Sequence, residues 1–347
     1  MSLINLPRVS LGIFPTPLEE LVNLSKALGG PRIFVKREDL SGLASGGNKA
    51  RNLEFVLADI KRSGANTIIS TLSTQSNYCL QLAAAAHKLN MNAGFVLFEG
   101  QHPEMQGNLL LQRILNSKIK ILKGDWVSGE YAANVDKEME KMRQEYLKMG
   151  HKPVILKYGS ESYYDKLAVV GWVSGAEELL HQLKVKKINA QYLVVSVSTG
   201  TTSTGLILGL KLLKSPLRYI GISVFRSKEE SIGRIVQEAN AVADFMGWDV
   251  NISPGDVTIY DDYIGEKYGV TTKECLEAIK LVAQTEGIFL DPVYTGKSMA
   301  GLIDLIKRGT FTVNDTVVFL HSGGFPALFA YDKEIISSCE SDSRLDQ

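Results

Sequence analysis

The sequence has few cysteines, and their spacing indicates neither a disulfide framework nor a structural metal site. Only three occur among 347 residues, at Cys79, Cys275 and Cys339, with no CxxC pair and no cluster of histidines beside them. An odd number of widely spaced cysteines is typical of a reduced protein. We therefore expect a cytoplasmic protein that holds no metal ion.

Long apolar runs and an excess of charge of one sign are absent as well. No segment reaches the roughly 18 unbroken apolar residues of a membrane span, and the start, MSLINLPRVSLGIFPTP, lacks the basic and apolar regions of a secretory signal. Lysine plus arginine number 38 and aspartate plus glutamate also number 38. This balance excludes a dominant electrostatic field, so we expect neither membrane nor nucleic acid as a partner.

Short β-branched runs alternate along the chain with longer amphipathic stretches. We predict strands at residues 32–36, 67–72, 94–98, 119–123, 154–156, 192–197, 219–224 and 316–320, and helices at residues 81–89, 130–149, 168–183 and 272–284. Strands separated by crossover helices indicate parallel sheets and an α/β fold, and the length suggests two domains. The polar tail from Ser337 is expected to fray.

Three predicted strands end in turns of small and hydroxylated residues. Ligands gather at the carboxyl ends of strands in open parallel sheets. The turn Ser198 to Gly205, STGTTSTG, opens an apolar helix, and free backbone N–H groups at such a position suit a phosphate. It lacks the lysine of a nucleotide P-loop and the GxGxxG spacing of a dinucleotide site. A plain helix cap would explain this turn equally well.

The other two turns have the same character. In STQSNY, Ser76 and Asn77 occupy the positions of a helix N-cap and first turn, where they could hold a carboxylate or act as caps alone. In HSGGF, Gly323 and Gly324 indicate either the close approach of a ligand or a tight turn. Three such turns together favour a ligand site.

The stretch ASGGNKARNLE places one lysine, Lys49, directly after a glycine-rich turn and at the start of a predicted helix. Taken alone, it is an exposed lysine at a helix start. Beside an anion-binding turn it matches the needs of pyridoxal 5'-phosphate (PLP), which requires an amine for a Schiff base and a site for its phosphate. The sequence therefore favours PLP as a cofactor.

Six motifs resemble those of the 1-aminocyclopropane-1-carboxylate (ACC) deaminase and D-cysteine desulfhydrase family. In order and spacing they are KREDLSGLASGGNKARNLE, QSN, STGTTSTG, YGVTTKE, DPVYTGKSMAGLID and HSGGFPALFAY, and the likeness runs from about Leu11 to Tyr331. It implies the open, twisted parallel-sheet fold of tryptophan synthase β-like, fold type II PLP enzymes. It also implies a homodimer with a larger cofactor domain, residues 1–50 and 160–347, and a smaller substrate-side domain, residues 51–159.

The resemblance assigns roles to individual residues. Lys49 looks like the Schiff-base lysine, and Ser76, Tyr268 and Tyr294 match the other catalytic side chains. Residues that match the cofactor site are Asn77, Thr199, Gly200, Thr201, Thr202, Thr295 and Ser322. Those expected to bind a small amino-acid substrate are Gln75, Ser76, Asn77 and Tyr78.

Thr295 and Ser322 favour the desulfhydrase branch, because the ACC deaminases have Glu and Leu at these places. A carboxylate beside the pyridine nitrogen favours a protonated ring and a stronger electron sink, whereas a hydroxyl suits an unprotonated ring. We expect conversion of D-cysteine to pyruvate, hydrogen sulfide and ammonia. Two features depart from the family pattern: Tyr78 stands where His is usual, and YGSESYY from Tyr158 replaces a glycine pair. They leave four alternatives open, which are an ACC deaminase, a cysteate sulfo-lyase, another β-substituted alanine lyase and a non-catalytic PLP-binding protein.

Overall fold

A computed structural model describes residues 4–124, 129–157 and 162–343. Every strand predicted from the sequence is present, and two further strands of three residues, β1 and β9, were too short to recognise by pattern. The strands are β1 Leu18–Glu20, β2 Arg32–Arg37, β3 Thr67–Ser73, β4 Asn92–Phe98, β5 Lys118–Leu122, β6 Pro153–Leu156, β7 Tyr192–Val197, β8 Arg218–Ser223, β9 Thr258–Tyr260 and β10 Thr316–His321.

Helices connect these strands as the alternating pattern predicts. Each predicted helix is present, with bounds shifted by a few residues where polar caps extend the apolar pattern. The helices are α1 Val22–Leu28, α2 Lys49–Arg62, α3 Asn77–Lys88, α4 Gly107–Ile114, α5 Gly129–Lys148, α6 Tyr163–Val185, α7 Thr201–Leu212, α8 Lys228–Met246, α9 Lys273–Glu286, α10 Thr295–Lys307 and α11 Asp332–Ser343. None of those in the described ranges is long and apolar enough to cross a membrane.

The described strands form two sheets. One has the order β1-β2-β10-β7-β8-β9 and is parallel except for the β1–β2 pair, and the other has the order β5-β4-β3-β6 and is parallel throughout. The four-stranded sheet takes its strands from residues 67–156, and the other from residues on either side. The two-sheet α/β fold is thus confirmed, while the domain limits at residues 50 and 160 stay a prediction.

One apolar cluster runs continuously from one sheet to the other through the helices between them. It includes Phe95 of β4, Val195 of β7 and, at its centre on α6, Trp172, which is 1% exposed. The indole Nε1 of Trp172 donates to Oδ1 of Asn52 on α2 at 3.2 Å. This packing fixes the two sheets against each other, which matters because the functional residues come from both.

Two sequence predictions concern the ends of described segments. The fraying expected from Ser337 is wrong as far as Ser343, because α11 continues through the polar residues, and Lys280 Nζ of α9 donates to the carbonyl of Ser338 at 3.1 Å. The replaced glycine turn, Tyr158 to 161, lies outside the described residues.

A buried ion cluster holds the chain that leads to Lys49. Arg51 Nε donates to Oε2 of Glu38 at 2.7 Å, and its Nη2 donates to Oε1 of Glu38 at 2.8 Å and to Glu178 at 2.7 Å. Arg51 is 1% exposed and Glu38 is fully buried. The backbone carbonyl of Glu38 also accepts from Gly47 N at 2.9 Å, so the cluster anchors the glycine turn as well as α2.

Candidate active site

A cavity lies where the carboxyl ends of strands from both sheets meet, and its empty space, counted together with the solvent at its open mouth, is about 1030 Å³. Turns that follow β3, β7, β8 and β10 reach it, together with the start of α2. It is lined by Asn48, Lys49, Leu72, Ser73, Ser76, Asn77, Tyr78, Phe98, Ser196, Ser198, Thr199, Gly200, Thr202, Ser203, Phe225, Arg226, Tyr268, Tyr294 and Ser322. The fold therefore brings most of the predicted site residues together.

The glycines before Lys49 are required by the protein's own packing. A Cβ atom at Gly46, where φ is +81°, would lie 1.7 Å from the carbonyl oxygen of Asp39, and one at Gly47 would lie 2.3 Å from Gln81 Nε2. Gly323, in the turn after β10, would place a Cβ 2.6 Å from Gly47 Cα. The close approach expected here is thus between two turns of the chain, since no larger residue fits.

Asn48 joins three parts of the site. Its backbone N–H donates to the carbonyl of Ser322 at 2.9 Å, and its side-chain Nδ2 donates to the hydroxyl of Thr202 at 3.0 Å. Lys49 is the next residue and the first of α2. Sequence analysis did not assign Asn48 to the site, and its side chain makes no capping bond to α2 that a local pattern could have predicted.

The predicted phosphate turn has the geometry of an anion site. Gly200 adopts φ of +104° and precedes α7, whose first N–H groups have no partner within the helix, and Thr199, Gly200 and Thr202 line the cavity. Thr201 is 1% exposed, and its hydroxyl has no hydrogen-bond partner among the described residues. A buried hydroxyl that lacks a partner is costly unless a ligand satisfies it, which fits the phosphate of PLP.

The turn after β3 presents Ser76, Asn77 and Tyr78 to the cavity. Ser76 is the N-cap of α3, and its Oγ accepts from Cys79 N at 3.2 Å. Asn108 Nδ2 donates to Asn77 Oδ1 at 2.8 Å, so the Asn77 NH₂ group is the end available to a ligand. Asn108, on α4, was not found by sequence analysis.

Gln75 lies outside this cavity. Its Nε2 donates to the carbonyls of His102 and Gln106, and its Oε1 accepts from Asn108 N at 3.0 Å. These bonds hold the segment that places Asn108 against Asn77. Gln75 lines a second cavity of about 720 Å³, which shares Ser73, Phe98, Tyr268 and Tyr294 with the first.

The two predicted tyrosines form a pair at the wall between the two cavities. Their hydroxyl oxygens lie 2.5 Å apart, so one hydroxyl donates to the other. Burial raises the pKa of Tyr268 to about 12 and, with the neighbouring Tyr268, raises the pKa of Tyr294 well above its usual value. Both hydroxyls therefore stay protonated near neutral pH and act as hydrogen-bond donors rather than as bases.

Thr295 does not present its hydroxyl to the cavity. Its Oγ1 accepts from Asp291 N at 2.7 Å and donates to Asp291 Oδ1 at 2.7 Å. Asp291 Oδ2 accepts from the backbone N–H groups of Val293 and Tyr294, both at 3.0 Å. Burial raises the pKa of the Asp291 carboxyl, which favours its protonated form. Both carboxyl oxygens, however, only accept hydrogen bonds, and this arrangement suits the ionised form. Thr295 is not among the residues that line the cavity, and its hydroxyl fixes the turn that carries Tyr294. Its expected place beside the pyridine ring stays a prediction.

Ser322 remains as the hydroxyl at the predicted ring position. It lines the cavity, and its Oγ makes no hydrogen bond to the described residues. No aspartate or glutamate is among the described residues that line this cavity, whereas Lys49 and Arg226 are. Arg226 was also missed by sequence analysis. The site is therefore cationic and rich in neutral donors, as an anionic ligand with phosphate and carboxylate groups requires.

Comparison with known proteins agrees with this geometry. The family model described as "Pyridoxal-phosphate dependent enzyme" matches residues 9–323. A D-cysteine desulfhydrase of Klebsiella pneumoniae (strain 342) is 37% identical over 339 residues, which cover 95% of this chain and 99% of that protein. A D-cysteine desulfhydrase of Salmonella choleraesuis (strain SC-B67) is 35% identical over 334 residues, which cover 95% of this chain and 97% of that protein.

Solved structures show the same relationship. The crystal structure of an ACC deaminase homologue has a TM-score of 0.84 and 33% identity, covering 96% of this chain and 97% of that one. Apo diaminopropionate ammonia lyase of Escherichia coli, with a TM-score of 0.64 and 16% identity over 95% of this chain and 87% of that one, shares the fold. The chain belongs to the pyridoxal-phosphate dependent enzymes and, among them, to the ACC deaminase and D-cysteine desulfhydrase family of fold type II.

Proposed function

We propose that this protein is a PLP-dependent lyase that converts D-cysteine to pyruvate, hydrogen sulfide and ammonia. The observation that carries the proposal is the cavity wall: Ser322 contributes a hydroxyl there, and no carboxylate lines the described wall. Without a carboxylate to favour a protonated pyridine ring, the electron sink is moderate. That suffices for expulsion of a thiol from the β-carbon and disfavours the opening of a cyclopropane.

Each residue of the cavity has a role that follows from its position. Bound PLP would be held by Lys49 and by the turn Thr199 to Thr202, and it supplies an electron-withdrawing ring that stabilises negative charge at the substrate α-carbon. The amine of Lys49 would be the basic side chain at the substrate α-carbon and would take the α-proton. The Ser76 hydroxyl and the N–H groups at the start of α3 hold the substrate carboxylate.

The tyrosine pair completes the reaction. When the bond between the β-carbon and sulfur breaks, the sulfur leaves as hydrosulfide, which the hydroxyl of Tyr268 or Tyr294 stabilises by donating a hydrogen bond to it, and the hydrosulfide takes its second proton from solvent. The resulting aminoacrylate is released and hydrolysed to pyruvate and ammonia. Because the two hydroxyls are hydrogen-bonded to each other, one O–H lies between the two oxygens and the other remains available as a donor to the sulfur.

The proposal is tested by product analysis on purified protein. D-cysteine, L-cysteine, β-chloro-D-alanine, D-serine, cysteate and ACC are supplied in turn, and sulfide, sulfite and keto acids are measured. We expect a yellow protein that forms sulfide and pyruvate from D-cysteine, and a Lys49→Ala variant that forms neither. Formation of 2-oxobutyrate from ACC without sulfide from either cysteine would contradict the proposal.

The quaternary state belongs to the same proposal. We infer a homodimer that binds a small amino acid and neither nucleic acid nor membrane, in keeping with the balanced charge of the chain. Light scattering of the purified protein measures the mass directly, and a monomer would contradict the inference.

A further inference from the structure

Arg226 stands beside the anion-binding turn and has no role in the site as described so far. It follows β8 and lines the same cavity as Thr199 and Gly200. Its Nη1 donates to the backbone carbonyl of Ser198 at 3.1 Å, and the centre of its guanidinium lies 4.5 Å from the centre of the Phe225 ring. These contacts orient the guanidinium against the residue that begins the turn.

The charge of Arg226 is not balanced by the protein around it. Within the described part of the chain, no carboxylate lies at ion-pair distance from it, although Glu230 exerts a weaker attraction. Burial, followed by repulsion from Arg234, lowers the pKa of its guanidinium. Arg51, by contrast, contacts two carboxylates. A half-buried cation is usually paired, so the expected counter-ion is a ligand.

We propose that Arg226 binds the phosphate group of the cofactor and completes the anion site formed by residues 199–202. The planar guanidinium has N–H donors to spare after its bond to Ser198, and its fork matches two phosphate oxygens. The substrate carboxylate is the other anion at this site, but its donors, Ser76 and Asn77, follow β3 of the opposite sheet. This inference rests on the PLP chemistry of the proposed function.

The experiment compares PLP with pyridoxal, which lacks the phosphate. Both are titrated into cofactor-depleted native protein and into the Arg226→Lys and Arg226→Gln variants, and dissociation constants are read from the absorption of the bound ligand. The matched control is Arg218→Gln. Arg218 begins the same strand at its opposite end, and its guanidinium lies 5.4 Å from the ring centre of Tyr192, outside the cavity.

The proposal requires that affinity for PLP falls by different amounts in the two Arg226 variants, while affinity for pyridoxal does not. We expect the PLP dissociation constant to rise about tenfold to a hundredfold in Arg226→Gln and less in Arg226→Lys, because lysine keeps the charge without the fork. Pyridoxal should bind all variants within about threefold of native, and Arg218→Gln should bind both ligands as native does.

Three results would overturn the inference: unchanged PLP affinity in Arg226→Gln, equal weakening of PLP and pyridoxal, or equal PLP affinity in the Lys and Gln variants. The last would show that the contact with Ser198, rather than the charge, matters. Native protein that takes up no PLP would instead overturn the proposed function, and this inference with it.

Discussion

The hydroxyl oxygens of Tyr268 and Tyr294 lie 2.5 Å apart at the boundary of two cavities, although the residues belong to separate segments of the chain. Tyr268 follows the region of β9, and Tyr294 is the residue before α10. The Phe225 ring packs against Tyr268 with centroids 5.4 Å apart, which restricts its orientation. The two tyrosines therefore act as one hydrogen-bonded unit.

The first prediction concerns this unit. Tyr268→Phe and Tyr294→Phe should each lower kcat for thiol elimination by about 10²-fold or more, with little change in KM, because the leaving sulfur loses a hydrogen-bond donor. The double variant should be no slower than the slower single variant, since removal of either hydroxyl breaks the unit. Tyr192→Phe, which lies outside both cavities, is the control. Losses that multiply in the double variant would show that the tyrosines act independently.

Ser322 and Thr295 should respond differently to removal of their hydroxyls. Ser322→Ala should change the absorption spectrum of the bound cofactor and lower kcat while leaving the melting temperature unchanged, because Ser322 Oγ has no bond to the described residues. Thr295→Val should instead lower stability by about 1–3 kcal/mol, because two buried bonds with Asp291 are lost. Urea unfolding and visible spectra separate the two effects. A spectral change in Thr295→Val alone would reverse the assignment.

The buried ion cluster should contribute strongly to folding. Glu38→Gln leaves Arg51 with one carboxylate fewer at a fully buried site, and we expect a loss of about 3 kcal/mol in urea unfolding. Glu20→Gln is the matched control, because Glu20 makes the same forked contact with Arg32 at 2.8 and 2.9 Å on the surface. That change should cost less than about 1 kcal/mol. Equal losses in both variants would contradict the importance of burial.

His321 should make stability depend on pH. Burial lowers the pKa of its imidazole, against the attraction of Asp39 at 3.7 Å, and its ring nitrogens bond Phe289 O and Gly323 N as a neutral ring would. The unfolded chain, with a histidine pKa near 6.5, then binds this proton more readily than the folded one. Stability should therefore be complete above about pH 6.5 and decrease below it.

Urea midpoints measured between about pH 8 and about pH 5.5 test this dependence. The His321→Gln variant should show a flatter profile, because glutamine can donate to Phe289 O without titrating. His87→Gln, at an exposed position, should keep the native profile. A native midpoint that rises on acidification through this range would mean that His321 is charged in the folded protein.

The sequence alone was sufficient for the features whose signals are local. Alternating apolar runs predict the strands of both sheets except the three-residue β1 and β9. Glycine and hydroxyl residues directly before an apolar helical stretch identify the turns at Ser76 and at Thr199 to Thr202. Lys49 is recognisable because it combines a glycine turn with a helix start. Each of these signals lies within about ten residues, where backbone conformation and capping dominate.

The tertiary structure decided which side chains line the cavity. Thr295 and Ser322 look alike in sequence, yet the hydroxyl of Thr295 bonds to Asp291 and that of Ser322 reaches the cavity. Gln75 is one residue from Ser76 but bonds to the segment before α4. Arg226 gains its place beside Ser198 only through the pairing of β7 with β8. Such positions depend on hydrogen bonds and packing between residues far apart in sequence, which no local pattern encodes.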